Sequence, residues 1–192
     1  MKELEILQRA LYQLIGDKVT ELQGLEELFS IREYGKNDFF IEQNTKPMYV
    51  GFVLEGAFRE YYTDAEGREF NKAFCFAGDF TGSYYDLHKG HPSTATIQSL
   101  GPSKVLIASF FDYQEKVNNE LDWLKIDHAI AHQLLMKKLE REYQLLALSA
   151  KERYDQLQNQ YPELEQLVNA YHIASYLGIT PVSFSRIRAQ KS

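Results

Sequence analysis

The chain has 192 residues, 44% of them hydrophobic and 25% charged, with a formal net charge of −6. This composition excludes wholesale disorder and is enough to bury a core, in one large domain or two small ones. Net acidity argues against a uniformly basic nucleic-acid binder, although such binding depends on a local patch and not on the total. Cys75 is the sole cysteine, so no internal disulfide can form and nothing points to an oxidising compartment. Met1-Lys2-Glu3 opens a charged amphipathic stretch, and no window approaches 18 uninterrupted apolar residues. The expectation is a cytoplasmic protein with no membrane partner.

In chain order, Leu4, Leu7, Leu11, Leu14 and Ile15 recur at helical spacing, followed by Leu22, Leu25 and Leu28, which predicts a helical lead-in. From Tyr34 to Ser109 the texture changes to short aromatic-rich runs divided by turn residues. Tyr49 to Leu54, Ala57 to Thr63 and Arg68 to Phe76 read as strands, separated by Glu55-Gly56 and by Asp64 to Gly67. At period two, Phe70, Phe74 and Phe76 would share one face. Thr94 to Ile97 and Lys104 to Ala108 add two more strands, a pattern of an antiparallel sandwich or barrel.

Ser109, with Asp112 three residues on, reads as a helix N-cap. Leu121 to Gln158 then contains neither Gly nor Pro, so a helix of several tens of residues is allowed. Leu124, His128, Ala131, Leu135, Leu139 and Leu146 approximate a heptad seam along it. The plain alternative is a helix packed only on its own β domain. Tyr161-Pro162 ends the run, and a compact tail follows.

That tail is the most informative segment. A helix-turn-helix unit needs a small residue where its helices cross, a positive-φ residue four positions later, and apolar residues closing a miniature core. Ala174 and Gly178 meet the first two demands, and Ile173, Leu177, Ile179, Phe184 and Ile187 the third. Thr180-Pro181 supplies an N-cap and first-turn proline for the second helix. That helix would present Val182, Ser185, Arg186 and Ala189 outward, with Thr180 and Ser183 near phosphates. From Ile179 to Ser192 the chain carries Arg186, Arg188 and Lys191 and no acidic residue, a local charge of +3 within a chain of −6. A helical hairpin with no DNA role is the alternative.

Three segments resemble the Crp/Fnr regulators. "HIASYLGITPVSFSRIR" is similar to the family's helix-turn-helix, "GDFTGSYYDLHKGHPSTATI" to the phosphate-binding cassette of its β-roll, and "LSAKERYDQL" to the end of its dimerisation helix. The resemblance implies an α+β fold: an N-terminal antiparallel, jelly-roll-like β-roll with flanking helices, a long dimerisation helix, and a C-terminal helix-turn-helix domain. It implies boundaries at 1–120 for the sensor, 121–150 for the dimerisation helix and 151–192 for the DNA-binding domain. It places an effector pocket at Gly78, Asp79, Gly82, Ser83, Tyr84, Ser93 and Thr94. It places DNA contacts at Thr180, Val182, Ser183, Ser185, Arg186, Arg188 and Lys191. The implied partners are an operator in double-stranded DNA, a second copy of the chain and a small-molecule effector, with RNA polymerase a further partner to consider. Two departures stand out. The cassette's glutamate and arginine, which hold ribose and cyclic phosphate in cyclic-AMP binders, are here Ser83 and Ser93. In the reader, Pro181 and Val182 replace base-contacting Arg and Glu, and only Arg186 matches. A cyclic phosphate buried without a cation would be poorly compensated, so cyclic AMP is not the expected ligand. Thr94, Gly82 and nearby amides could still hold something polar, with His88, Lys89 and His91 as nearby charges.

Other constellations read more plainly. His128 and His132 are four apart, a metal-competent spacing, but no glutamate follows His128. Cys75 between Phe74 and Phe76 reads as a buried, inert thiol. Tyr61, Tyr62, Tyr84 and Tyr85 read as packing residues. There is no nucleophile–base pair and no phosphate-cradling glycine loop, so no catalytic residue, metal site, cofactor or enzymatic activity is expected. Two further classes remain as alternatives: a cupin-like β-barrel metal-binding protein or enzyme, and a dimeric interaction module without DNA binding.

Overall fold

The computed structural model describes residues 2–16, 22 and 24–190. Helix α1 (Lys2–Ile15) and the one-turn α2 (Leu25–Leu28) lead into eight strands. These are β1 (Ser30–Tyr34), β2 (Phe39–Ile41), β3 (Tyr49–Glu55), β4 (Ala57–Thr63), β5 (Glu69–Phe76), β6 (Phe80–Thr81), β7 (Thr96–Ser99) and β8 (Ser103–Ser109), with α3 (Tyr84–Lys89) between β6 and β7. Helices α4 (Phe110–Asn119), α5 (Leu121–Ala147), α6 (Ala150–Gln160), the one-turn α7 (Leu164–Leu167), α8 (Ala170–Leu177) and α9 (Pro181–Ala189) complete the chain.

The strands form two antiparallel four-stranded sheets, ordered β1-β8-β3-β6 and β2-β7-β4-β5. Consecutive strands often lie in different sheets, so the chain winds as a roll. Glu55-Gly56, which separates β3 from β4, carries the chain from one sheet to the other. Strand alternation assigns each apolar side chain to a core. Val53, Phe58, Ile97, Val105 and Ile107 fill the space between the sheets together with Tyr34. On the other face of the first sheet, Phe52, Leu54 and Leu106 meet Leu7 and Leu11 of α1, Tyr113 and Val117 of α4, and Trp123, Ile126 and Ile130 of α5. Full burial of each such side chain contributes roughly 1.5–3 kcal/mol.

A third core belongs to the tail, yet it also includes a roll residue. Tyr154, Leu157, Leu164, Val168, Ile173, Ala174, Leu177 and Phe184 cluster with Phe74 of β5. The attachment point is a β-bulge. Glu60 pairs with Ala73 and Tyr61 with Asn71, which leaves Lys72 unopposed. The bulge reverses the alternation, so Phe74 is buried while Phe70 is 48% exposed, and the three phenylalanines do not share the face that strict period two would give them. Ser175 of α8 joins the backbone there: the Asn71 amide donates to its Oγ at 3.0 Å, and that hydroxyl donates to the Glu69 carbonyl at 3.2 Å. Beside it, the guanidinium of Arg59 pairs with Glu69 at 2.5 Å and lies 3.2 Å from His172 Nδ1. Burial and the Arg59 charge lower the His172 pKa against the opposing pull of Glu69, which keeps the ring neutral at pH 7.

The long helical run differs from its sequence reading in one respect. It is interrupted at Leu148-Ser149, where Ser149 caps α6 in a reciprocal capping box with Glu152. Leu148 and Ser149 are both extended, at ψ 146° and 159°. Competition by the serine side chain for backbone donors is the physical reason the absence of Gly and Pro did not keep the helix continuous. Ser109 does occupy the N-cap of α4, but its side chain makes no capping hydrogen bond.

The corner glycine admits no side chain. Gly56 has φ +87°, and a Cβ there would collide with the Ser103 side chain and lie 2.7 Å from the Pro102 carbonyl oxygen. Gly67, at φ +78°, has open space around the same position. Gly67→Ala should therefore lose about 1–2 kcal/mol through backbone conformation alone. Gly56→Ala should lose at least about 3 kcal/mol, since overpacking adds to that strain. Urea denaturation of the two variants checks the difference.

Candidate functional site

The cassette segment folds as β6, a turn at Gly82 (φ +141°) and the short helix α3. Ser83 and Ser93 are buried, with their hydroxyl oxygens 3.0 Å apart. Beside Ser83 stands a buried carboxylate that the sequence analysis does not single out. Asp86 is 1% exposed, and its Oδ2 accepts from the Ser83 hydroxyl at 2.5 Å, the Thr94 amide at 2.9 Å and the Thr94 hydroxyl at 3.1 Å. His91 Nδ1 lies 3.2 Å from its Oδ1. Burial opposes ionisation of Asp86, but the donors from Ser83 and Thr94 and the neighbouring His91 outweigh it, and the carboxyl is held below its usual range. The donors expected to receive an external anion are thus already satisfied by an internal one. A signal was available: Ser83-x-x-Asp86 has the form of a helix-start signature.

The remaining pocket residues divide. Gly82 adjoins Ser83, but Gly78 and Asp79 are engaged elsewhere. The Gly78 amide donates to the Val53 carbonyl, and Asp79 accepts from the Phe76 amide and pairs with Lys137 of α5 at 2.8 Å. Tyr84 turns its hydroxyl toward Asp127 of α5, 3.4 Å away, and burial with that carboxylate pushes its pKa up to about 12. A cavity reaching Ser83 has exposed Arg32 and Lys46 in its lining, along with Phe40, Ile41 and Tyr49. The Arg32 guanidinium stacks on the Tyr49 ring at 4.7 Å. Cys75, expected from sequence to be buried, is half-buried, and desolvation pushes its thiol up to about 12, which keeps it protonated at neutral pH.

The tail pairs α8 and α9 through a three-residue turn. Gly178 takes φ +69° and closes α8 with hydrogen bonds to Ala174 and Ser175, and the Thr180 side chain accepts from the Ser183 amide at 3.2 Å. Ile173, Ala174, Leu177 and Phe184 are fully buried, with Ile179 and Ile187 partly so. Outward stand Thr180, Val182, Ser185, Arg186, Arg188 and Ala189, while Ser183 is half-buried. Arg188 pairs with Glu165 at 3.1 Å, which the sequence did not suggest. Lys191 lies outside the described residues.

On α5 the buried face is Trp123, Ile126 and Ile130. The expected seam lies on another face: Leu124, His128, Leu135, Leu139 and Leu146 are exposed, Leu146 by 80%, and Ala131 is half-buried. Among the described residues, no group of three His, Cys, Asp or Glu side chains could hold a metal ion, and no helix is long and apolar enough to cross a membrane.

Residues 31–117 match the cyclic nucleotide-binding domain family. No curated protein matches the sequence. Among solved structures, FixK2 from Bradyrhizobium japonicum superposes with a TM-score of 0.73 at 19% identity, covering 85% of this chain and 84% of that one. A CooA mutant from Carboxydothermus hydrogenoformans gives 0.67 at 21% identity, covering 94% and 83%. The c-di-GMP-responsive global regulator CLP of Xanthomonas campestris gives 0.66 at 14% identity, covering 98% and 91%. Most of the β-roll is thus similar to the cyclic nucleotide-binding domain family. The chain as a whole has the Crp/Fnr fold.

Asp86→Ala leaves the Ser83 and Thr94 donors unsatisfied in a buried site and should lose about 2–3 kcal/mol. Because the native pKa of Asp86 is depressed, its contribution is present above the unfolded value near 4 and is lost as pH falls through the native value. The stability gap between the parent chain and Asp86→Asn should hold at pH 7 and narrow below pH 4, measured by urea denaturation across pH.

Proposed function

We propose that this chain is a dimeric, DNA-binding transcription regulator whose cassette does not receive cyclic AMP. The observation that carries the reading is the outward face of α9. Behind a closed core, it presents Val182, Ser185 and Arg186 to solvent on a segment without acidic residues. An exposed helix of this kind fits a major groove, where an arginine bonds a guanine edge. Arg186 is the base reader in this reading. Thr180 and Ser183 lie at the α9 N-terminus, where backbone amides favour phosphate. Arg188 and Lys191 serve the DNA backbone, with Arg188 exchanging Glu165 for a phosphate.

Dimerisation follows from the second stripe of α5. A monomer would leave Leu124, Leu135, Leu139 and Leu146 in water, and a parallel partner helix would bury all four. The absence of cyclic AMP binding follows from Asp86, which supplies internally the negative charge a cyclic phosphate would bring and repels a second one. The sensor, dimer helix and reader correspond to 1–120, 121–150 and 151–192.

Replacing Leu135 and Leu139 together by Glu should convert the protein to monomer at micromolar concentration, read by light scattering. A double variant that remains dimeric would refute the seam.

Arg186→Ala should weaken binding to a selected operator by about 1–3 kcal/mol and relax preference at one position of each half-site. Half-sites in that operator should lie one helical turn apart or a multiple of it. Titration against operator and scrambled DNA at several salt concentrations distinguishes this from a phosphate contact, which would lower both affinities equally.

A further inference from the structure

The two sheets of the roll leave a gap along one flank. Strands β1 and β2 are edge strands there, one from each sheet, and the Tyr34 and Phe40 rings lie 6.1 Å apart across it. The cavity that reaches Ser83 opens on this flank. It has a volume of about 170 Å³, with Phe40, Pro47 and Tyr49 as walls and exposed Lys46 and Met48 at the rim. An apolar cavity of about 150 Å³ takes up benzene, so a ring of that size fits here.

The anomaly is a cation at an inward-facing position. Arg32 stands opposite Val105 in the β1–β8 register, and Val105 is fully buried between the sheets. Residues paired across strands share a face, so Arg32 projects from the side of β1 that builds the core. No acid meets it there. Arg59, Arg68, Lys72 and Lys104 of the roll each pair with a carboxylate, whereas Arg32 and Lys46 pair with none among the described residues. The Arg32 guanidinium instead lies over the Tyr49 ring, which holds its planar fork of donors at the cavity.

We propose that this cavity binds a small aromatic carboxylate, with its ring against Phe40 and Tyr49 and its two oxygens on Arg32, Lys46 standing beside them. Charge sets the head group: two cations without acids favour an anion, and the guanidinium fork matches the geometry of a carboxylate. Ser83 sets the orientation. Its hydroxyl gives its proton to Asp86 at 2.5 Å, so that wall offers no donor and has a negative charge behind it. The carboxylate therefore faces Arg32 and Lys46, and the ring faces Ser83. Volume sets the body, since the cavity matches one ring and not a nucleotide. A rigid ring also loses less freedom on binding than an alkyl chain of equal volume. This binding does not depend on the function proposed above.

Benzoate is the probe, titrated into the full chain without DNA and followed by ligand-observed NMR. It should bind saturably, and benzamide, its neutral counterpart of the same size, should bind about tenfold more weakly. Arg32→Gln should weaken benzoate about tenfold, the scale of one lost charge-assisted contact, and Lys46→Gln by a smaller factor. Lys36→Gln, which makes the same change of charge on the exposed β1–β2 turn, should leave the affinity unchanged. Arg32 is exposed and holds no acid, so Arg32→Gln should keep the circular dichroism of the parent; should it unfold, Lys46→Gln on its exposed loop decides alone. A linear response in the parent chain would overturn the site, as would undiminished binding in the cavity variants or an equal loss in Lys36→Gln. Equal affinity for benzoate and benzamide would overturn the role of charge. Displacement of benzoate by inorganic phosphate at lower concentration would overturn the aromatic class in favour of a bare anion. Failure to bind any operator defeats the regulator reading and leaves these results standing.

Discussion

Helix α5 has to satisfy two surfaces at once, and most of the architecture follows from that. Its Trp123, Ile126 and Ile130 are sunk against Phe52, Leu54 and Leu106 of the first sheet, with Leu7 and Leu11 of α1 closing over them. Those contacts set the rotation of the helix about its own axis. Once the rotation is set, the second row of leucines has to point away from the roll. The same contacts also aim Lys137 at Asp79 and Arg141 at Tyr176, so roll and tail are both referred to one helix. A polar residue at 126 or 130 would loosen all three relations together.

The cassette shows how a binding motif can keep its shape while its chemistry is turned inward. Gly82 keeps a positive φ and Ser83, Ser93 and Thr94 stand together, but a carboxylate from the adjoining helix takes the hydrogen bonds of Ser83 and Thr94. A buried charge is tolerated only when such donors surround it, and three of them do so here.

Much of this was legible from the sequence, and the exceptions have physical causes. The turn chemistry of Gly178 and Thr180-Pro181 is local, so the α8–α9 unit could be read residue by residue. Strands β3, β4, β5, β7 and β8 could be read for the same reason, from alternation bounded by turns, whereas β1, β2 and the two-residue β6 were too short or too polar to stand out. Alternation failed at Phe70 because of the bulge at Lys72, which period two cannot show and beside which the Asn71 amide meets Ser175 from about a hundred residues away in sequence. The heptad pattern picked out the exposed row of α5, but the buried row of Trp123, Ile126 and Ile130 was not singled out, since period alone does not say which stripe meets which neighbour. Asp86 was missed because a carboxylate among tyrosines gives no hint that the fold will close donors around it. The pairing of Arg188 with Glu165 likewise needs the tail to be folded.

The break at Leu148-Ser149 changes the mechanics of the whole. An unbroken α-helix behaves as a stiff rod, and twisting one end would turn the other through the same angle. Two extended residues and a capping box decouple the axes of α5 and α6, so torque does not pass along the backbone. Beside the backbone, α5 is tied to the tail sideways, through the guanidinium of Arg141 on the Tyr176 carbonyl and through Arg153 of α6, which holds the carbonyls of Leu148 and Leu177. The joint is thus a corner pinned twice by arginine side chains, and not a continuous rod.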